Sequence, residues 1–122
     1  MVEYTQMDIY KYINLAATKE GSEVYQHLFK MMTETTVAGA VAAHKGRAER
    51  RNNFDYLKNI NLPTLVIAGE KDYFFSIPVV EKVAKEIPNA QFEIIKYSGH
   101  LPNMEQPREF NKLIGKFYLA LK

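Results

Sequence analysis

Residues 63–72 read PTLVIAGEKD, and this stretch decides the fold class. Its centre, residues 64–68, is a short apolar run rich in β-branched side chains, with Pro63 before it and Gly69 after it. Such a run predicts a strand buried on both faces, as in a parallel sheet. Polar residues up to Asp72 follow the strand, where the loops at the carboxyl edge of a parallel sheet begin.

A helix and a second strand follow this first strand. Pro78 lies near the start of a helical stripe made of apolar residues, and Pro88 ends it; the stripe comprises Val79, Val80, Val83, Ala84 and Ile87. Residues 91–97 alternate in polarity and predict the second strand. Strand, helix and strand of this length form a parallel crossover unit. A last helix is predicted from Pro107.

The first half of the chain is predicted to be helical. We expect one helix over residues 4–18 and a second one capped by Ser22. Small residues at 33–43 predict that this helix continues, closely packed, until Gly46 interrupts it, and a short helix follows at 54–60. The fold class is therefore α/β, with a helical N-terminal half (residues 1–60) followed by a β-α-β-α segment (residues 61–122) in one compact unit.

Composition limits the classes of function. The chain has 122 residues, of which 47% are apolar and 25% are charged. This length and composition predict one ordinary soluble domain near the lower size limit for an enzyme. A net charge of +2 predicts no nucleic-acid partner, and the basic cluster Lys45, Arg47, Arg50 and Arg51 is interpreted as a solvated helix end. No cysteine is present, so disulfides and thiolate chemistry are excluded. No apolar stretch of transmembrane length or signal peptide is visible, so we expect no membrane association and a cytoplasmic chain.

Asp72 and His100 are the candidate catalytic residues. Each follows one of the two predicted strands, so parallel pairing places their loops side by side. A carboxylate there can accept Nδ1–H of the imidazole, which leaves Nε2 as a general base. Either residue alone is more simply explained as an ordinary loop residue, but their joint placement favours an acid–histidine pair.

Two motifs carry a family resemblance: PTLVIAGEKD around the acid and YSGHLPNMEQP (residues 97–107) around the histidine. In this order they resemble the C-terminal end of the α/β-hydrolase fold, and Glu105, Pro107 and Phe110 fit that family's "GH…E.P..F" pattern. The resemblance is strong over residues 61–122 and weaker over residues 43–60. It implies a lid-like role for residues 1–60, and hydrolysis of a small ester-like, amide or carbon–carbon substrate. His100 would be base and then acid, Asp72 its orienter, and no metal or organic cofactor is expected.

The nucleophile of that mechanism is missing. No G-x-S-x-G elbow occurs, and the only serines are Ser22, Ser76 and Ser98, none of them between a strand and a helix with flanking glycines. A Gly-rich oxyanion loop is also absent, so the chain alone is expected to be inactive. We favour a C-terminal piece of a longer hydrolase over a natural short protein that lost catalysis. Related families with an Asp nucleophile share this ending, so the nucleophile and the substrate stay open.

Two further expectations concern partners and alternatives. Strand 64–68 would present a bare apolar edge, which predicts self-association or pairing with a complementary N-terminal half. The alternative function is a non-catalytic interaction module derived from the hydrolase fold. A flavodoxin-like binding domain would explain the crossover unit but leaves Asp72 and His100 as coincidences.

Overall fold

The computed structural model describes residues 1–122 and has the predicted α/β architecture. The first half contains helices α1 (Val2–Asp8), α2 (Glu23–Glu34) and α3 (Val37–Ala48), with short 3₁₀ helices at Ile9–Lys11 and Phe54–Asn59. The second half follows in the order β1 (Thr64–Gly69), α4 (Ile77–Glu86), β2 (Ala90–Ile95), α5 (Pro102–Glu105) and α6 (Pro107–Ala120). The predicted helical half followed by a β-α-β-α segment is therefore confirmed.

The sheet consists of β1 and β2 paired in parallel, with Thr64 opposite Ala90 and Gly69 opposite Ile95. Helix α4 packs against both strands, and α6 contacts β2. The expectation that the first strand is buried on both faces is wrong for most of β1, since residues 64–67 are half-buried and only Ala68 and Gly69 are buried. The reason is that β1 has one partner strand, so its outer edge stays open.

Three helix boundaries differ from the sequence expectation. The first helix ends at Asp8 instead of residue 18. Thr36 starts α3 as a separate helix, because its side-chain oxygen accepts a hydrogen bond from the Gly39 amide at 3.1 Å. Gly46 does not interrupt α3, which continues to Ala48; a glycine inside a helix costs only about 1 kcal/mol relative to alanine.

The second strand also ends earlier than predicted. It stops at Ile95, and Tyr97 has a φ of 59°, in the left-handed region that non-glycine residues rarely adopt. The Tyr97 amide leaves the sheet pattern and donates to the Glu70 carboxylate at 3.2 Å. This conformation turns the chain out of β2 and into the loop that carries His100.

A small apolar cluster joins the N-terminal helices to the histidine loop. Ile9, Ile13 and Leu28 are buried together, and Leu101, next to His100, packs against them. Docking of the first thirty residues therefore fixes one side of the histidine loop. None of the helices has the length and apolar character needed to cross a membrane.

Candidate active site

Two loops meet at the carboxyl end of the parallel pair. The acid loop follows β1 and contains Asp72, and the histidine loop follows β2 and contains His100. Backbone hydrogen bonds tie them together beyond the sheet, from the Glu70 amide to the Ile95 carbonyl (2.9 Å) and from the Lys71 amide to the Ser98 carbonyl (2.8 Å). The geometry predicted from parallel strand order is thereby present in the backbone.

Two glycines allow this close approach. A Cβ on Gly69 would lie 1.9 Å from the Gly99 carbonyl oxygen, a distance at which the two loops would have to separate. A Cβ on Gly99 would lie 3.0 Å from the Asn14 amide nitrogen. The contact with the N-terminal segment therefore leaves little room for a side chain at position 99, whereas the φ of Gly99 lies outside the left-handed region and does not by itself favour glycine.

Asp72 and His100 are joined by a hydrogen bond of 2.9 Å between Oδ2 and Nδ1. The other carboxylate oxygen, Oδ1, accepts from the Phe74 and Phe75 amides at 2.8 and 3.2 Å. An ionised carboxylate only accepts hydrogen bonds, so Nδ1 is the donor and Nε2 is left for another group. The Asp72 side chain is 10% exposed and that of His100 is 33% exposed, which shields the acid and leaves the imidazole accessible.

Aromatic rings surround the imidazole. The ring centroids of Phe74, Phe75 and Tyr12 lie 4.9, 5.9 and 6.1 Å from that of His100. Phe74 and Phe75 belong to the acid loop, and their amides hold Asp72. The same four-residue turn, residues 72–75, therefore orients the acid and packs against the histidine.

Glu105 connects the histidine loop to the N-terminal segment through three hydrogen bonds, which we call the Glu105 clamp. Its Oε1 accepts from the Gly99 amide at 2.7 Å, and its Oε2 accepts from the Asn14 amide at 2.7 Å and from the Thr18 hydroxyl at 3.0 Å. The His100 amide adds a bond to the Tyr12 carbonyl at 2.9 Å. These contacts hold Tyr12 beside the imidazole.

A cavity of about 330 Å³ opens at this place. Tyr12, Phe74, Phe75 and His100 form one part of its wall, and Arg47 and Arg50 form another. A larger cavity, about 580 Å³, lies among the N-terminal residues, and no histidine lines it. His44 lines two other cavities but is not paired with a carboxylate, so the cavity beside His100 is the one whose histidine is hydrogen-bonded to an acid.

The expectation for the basic cluster was incomplete. All four side chains at positions 45, 47, 50 and 51 are exposed, as a solvated helix end requires. Two of them, however, also face the space beside His100. Sequence spacing gave no signal for this, because the contact depends on how the end of α3 lies over the acid loop.

None of the three serines is hydrogen-bonded to His100. Ser22 caps α2, Ser76 precedes α4, and Ser98 is fully buried with an unpaired hydroxyl. The chain also contains no cluster of three or more acidic or histidine side chains arranged to hold a metal ion. The arrangement can therefore hold and move a proton at Nε2, and no serine of the chain is placed to exchange a proton with it.

A second charged group lies close to the acid loop. The Lys11 ammonium is hydrogen-bonded to the Asp8 carboxylate and lies 5.9 Å from the centroid of the Tyr73 ring. The hydrogen bond from Lys11 lowers the pKa of Asp8, against the opposing effect of partial burial. The same bond raises the pKa of Lys11. This pair stabilises the turn between α1 and the segment that reaches His100.

Comparison with known proteins supports the resemblance. An esterase from Thermogutta terrifontis, solved with malate bound, superimposes with a TM-score of 0.89 at 30% identity, over 97% of this chain and 43% of the esterase. The chain is similar to one part of proteins of the α/β-hydrolase superfamily. The carboxylesterase YbfK of Bacillus subtilis is 28% identical over 90% of this chain and 43% of its own length. Human monoacylglycerol lipase ABHD6 is 34% identical over 66% of this chain.

The chain spans only part of these relatives, about a quarter of the length of the first curated ones, at 27% and 23%. No protein-family model matches it. The recognised portion nevertheless includes nearly the whole chain in the structural comparison, helical half included.

Proposed function

We propose that this chain supplies the acid and the histidine of a nucleophile–histidine–acid triad in an α/β-hydrolase that cleaves ester-type bonds. The observation that carries the proposal is the 2.9 Å hydrogen bond from His100 Nδ1 to Asp72, beside a cavity that His100 also lines. The names of the relatives, an esterase, a carboxylesterase and a monoacylglycerol lipase, favour an ester as substrate.

In the proposed mechanism, Asp72 stays ionised and fixes the imidazole. His100 Nε2 takes the proton of the nucleophile as the nucleophile attacks the acyl carbon, and the imidazolium is stabilised by Asp72. The same nitrogen then gives that proton to the leaving alcohol. In the second half of the reaction, Nε2 takes a proton from water and returns it to the nucleophile when the acyl group is released. No redox step or cofactor is required.

The nucleophile would come from outside residues 1–122. The open edge of β1 supports this, because unpaired N–H and C=O groups beside half-buried apolar side chains form a template for another strand. A strand carrying the nucleophile elbow and paired there would lie beside the acid loop. We therefore propose a complementary N-terminal segment as the partner, with self-association as the competing use of this edge.

Residues 1–60 would act as the lid-like part. Tyr12 and Arg47 come from this half and line the cavity beside His100. The Glu105 clamp fixes the start of this half to the histidine loop. Exchange of these residues would change which substrates enter without changing the proton transfer itself.

The test is esterase activity on p-nitrophenyl butyrate, with this chain alone and with an added hydrolase segment that contains a G-x-S-x-G elbow. We expect activity only in the mixture. His100→Ala should abolish it, and Asp72→Asn should lower kcat on the order of 10³- to 10⁴-fold, because the imidazole loses its orienting carboxylate. His27→Ala is the matched control, since His27 is exposed on α2 and forms no hydrogen bond with Asp72 or His100.

Two results would decide against the triad. One is hydrolysis that His100→Ala does not change. The other is demonstrated association of the two pieces without any activity, which would favour the non-catalytic interaction module instead.

A further inference from the structure

The wall of the cavity beside His100 carries two unbalanced positive charges. Of the six residues that line it, Arg47 and Arg50 are cationic and none is acidic. The nearest acid in the site, Asp72, already uses both oxygens, one on His100 and the other on two loop amides. The cavity therefore presents positive charge that no neighbouring carboxylate neutralises.

The two guanidinium groups also keep most of their hydrogen-bond donors free. Neither arginine forms an ion pair with an aspartate or glutamate. Arg47 is hydrogen-bonded only to the His44 ring, at 3.0 and 3.3 Å, and Arg50 makes no side-chain hydrogen bond. A guanidinium offers five N–H donors in a planar fork that fits the two oxygens of a carboxylate.

The aromatic rings and the volume of the cavity determine the size and polarity of the rest of the ligand. Phe74, Phe75 and Tyr12 present ring surface beside His100. A volume of about 330 Å³ admits a small molecule rather than a long acyl chain. A ligand that fills this space has an apolar part against the rings, its reacting carbonyl at His100 and an anionic end at the arginines.

We infer that Arg47 and Arg50 form a carboxylate-binding subsite, and that the substrate is a small ester with a free carboxylate. This inference rests on the proposed function for the ester, whereas the subsite itself rests only on the cavity and its charges. Paired N–H···O bonds from a guanidinium to a carboxylate are charge-assisted and orient the ligand as well as bind it.

The subsite is tested first by binding, without any nucleophile. Benzoate and its neutral analogue benzamide are titrated into the chain, with the imidazole resonances of His100 followed by NMR. We expect benzoate to bind about 10-fold more tightly than benzamide, and Arg50→Gln and Arg47→Gln each to weaken benzoate about 5- to 10-fold. Higher salt should weaken benzoate alone, because screening acts on the charge.

Arg51→Gln is the matched control, since Arg51 belongs to the same basic run but does not line the cavity. It should leave benzoate binding unchanged. Equal binding of benzoate and benzamide, or an equal loss with Arg51→Gln, would overturn the subsite.

A second experiment separates the subsite from the triad. In the two-segment assay, p-nitrophenyl hydrogen succinate, which carries a carboxylate, is compared with p-nitrophenyl butyrate. The ratio of their kcat/KM values should favour the succinate ester and fall about 10-fold in Arg50→Gln. Cleavage of both esters with an unchanged ratio would overturn the subsite and leave the triad standing. Arginine-dependent benzoate binding without cleavage of either ester would support the subsite and count against the triad.

Discussion

Replacement of Glu105 by alanine should destabilise the chain by about 3 kcal/mol. Its carboxylate accepts three hydrogen bonds, from the Gly99 and Asn14 amides and the Thr18 hydroxyl, and Gly99 and Thr18 are buried. A hydrogen bond contributes about 1 kcal/mol net, and a buried donor without a partner costs a similar amount or more. Three such bonds therefore give about 3 kcal/mol, which in a domain of this size lowers the Tm by about 12 °C.

Glu105→Gln isolates the contribution of the second oxygen. The amide keeps one acceptor, which can serve Asn14 and Thr18, but its NH₂ group would oppose the Gly99 amide. We expect a loss of about 1.5 kcal/mol, half that of alanine. Both variants are measured by urea unfolding followed by circular dichroism at 222 nm, and by hydrogen exchange of the Gly99 and Asn14 amides, which should accelerate.

Glu109→Ala is the control for this series. Glu109 lies on α6, half-exposed, with only a surface contact of 3.7 Å to Lys112, so its loss should cost at most about 0.5 kcal/mol. Equal losses of stability in Glu105→Ala and Glu109→Ala would show that the Glu105 clamp does not stabilise the fold. Unchanged exchange protection of the Gly99 amide in Glu105→Ala would show the same.

Three further changes have expected outcomes measurable by the same unfolding assay. Gly69→Ala should cost about 2–3 kcal/mol, because its Cβ would collide with the Gly99 carbonyl, whereas Gly115→Ala, with open space in α6, should gain up to about 1 kcal/mol; equal effects would contradict the contact. Ser98→Ala should leave the free energy of unfolding unchanged or raise it by about 1 kcal/mol, since the buried hydroxyl has no partner. A loss of stability of more than about 1 kcal/mol would show that the hydroxyl does have a partner. Asp8→Asn should flatten the pH dependence of the free energy of unfolding. Because the pKa of Asp8 is lowered from its ordinary value of 3.8, its ionised carboxylate stabilises the fold above pH 3.8, and this stabilisation is lost as the pH falls below that value. Parallel stability curves for the two proteins between pH 6 and 2.5 would contradict this contribution of Asp8.

The second half of the fold was predictable because its signals are local. A β-branched run followed by glycine, an apolar helical stripe and an alternating segment specify β1, α4 and β2 with only small boundary errors. Parallel strand order then brings Asp72 and His100 together without knowledge of any side-chain packing. The prediction that β1 is fully buried was wrong. A continuous apolar run is typical of a strand with a neighbour on each side, and β1 has one neighbouring strand in this chain.

The other walls of the site were not predictable from local patterns. Asn14 and Glu105 are 91 positions apart, and neither their residue types nor their spacing predicts the contact between them. Arg47 and Arg50 looked like a solvated helix end because charge runs near helix termini are usually that. Their position beside His100 depends on how α3 and the residues after it pack against the acid loop, which residue type and spacing do not specify.

The Glu105 clamp has a consequence for protein engineering. A helical half taken from a relative and joined at residue 60 would keep β1, β2 and the acid–histidine pair. It would lose the Thr18 hydroxyl, and it would lose the Asn14 amide as well wherever its backbone takes a different path. The Glu105 carboxylate would then keep the Gly99 amide as its remaining donor, with its other oxygen partly buried and unpaired. Successful chimeras should therefore begin after residue 18 and retain the first eighteen residues with the C-terminal segment, so that the part inherited together is discontinuous in sequence.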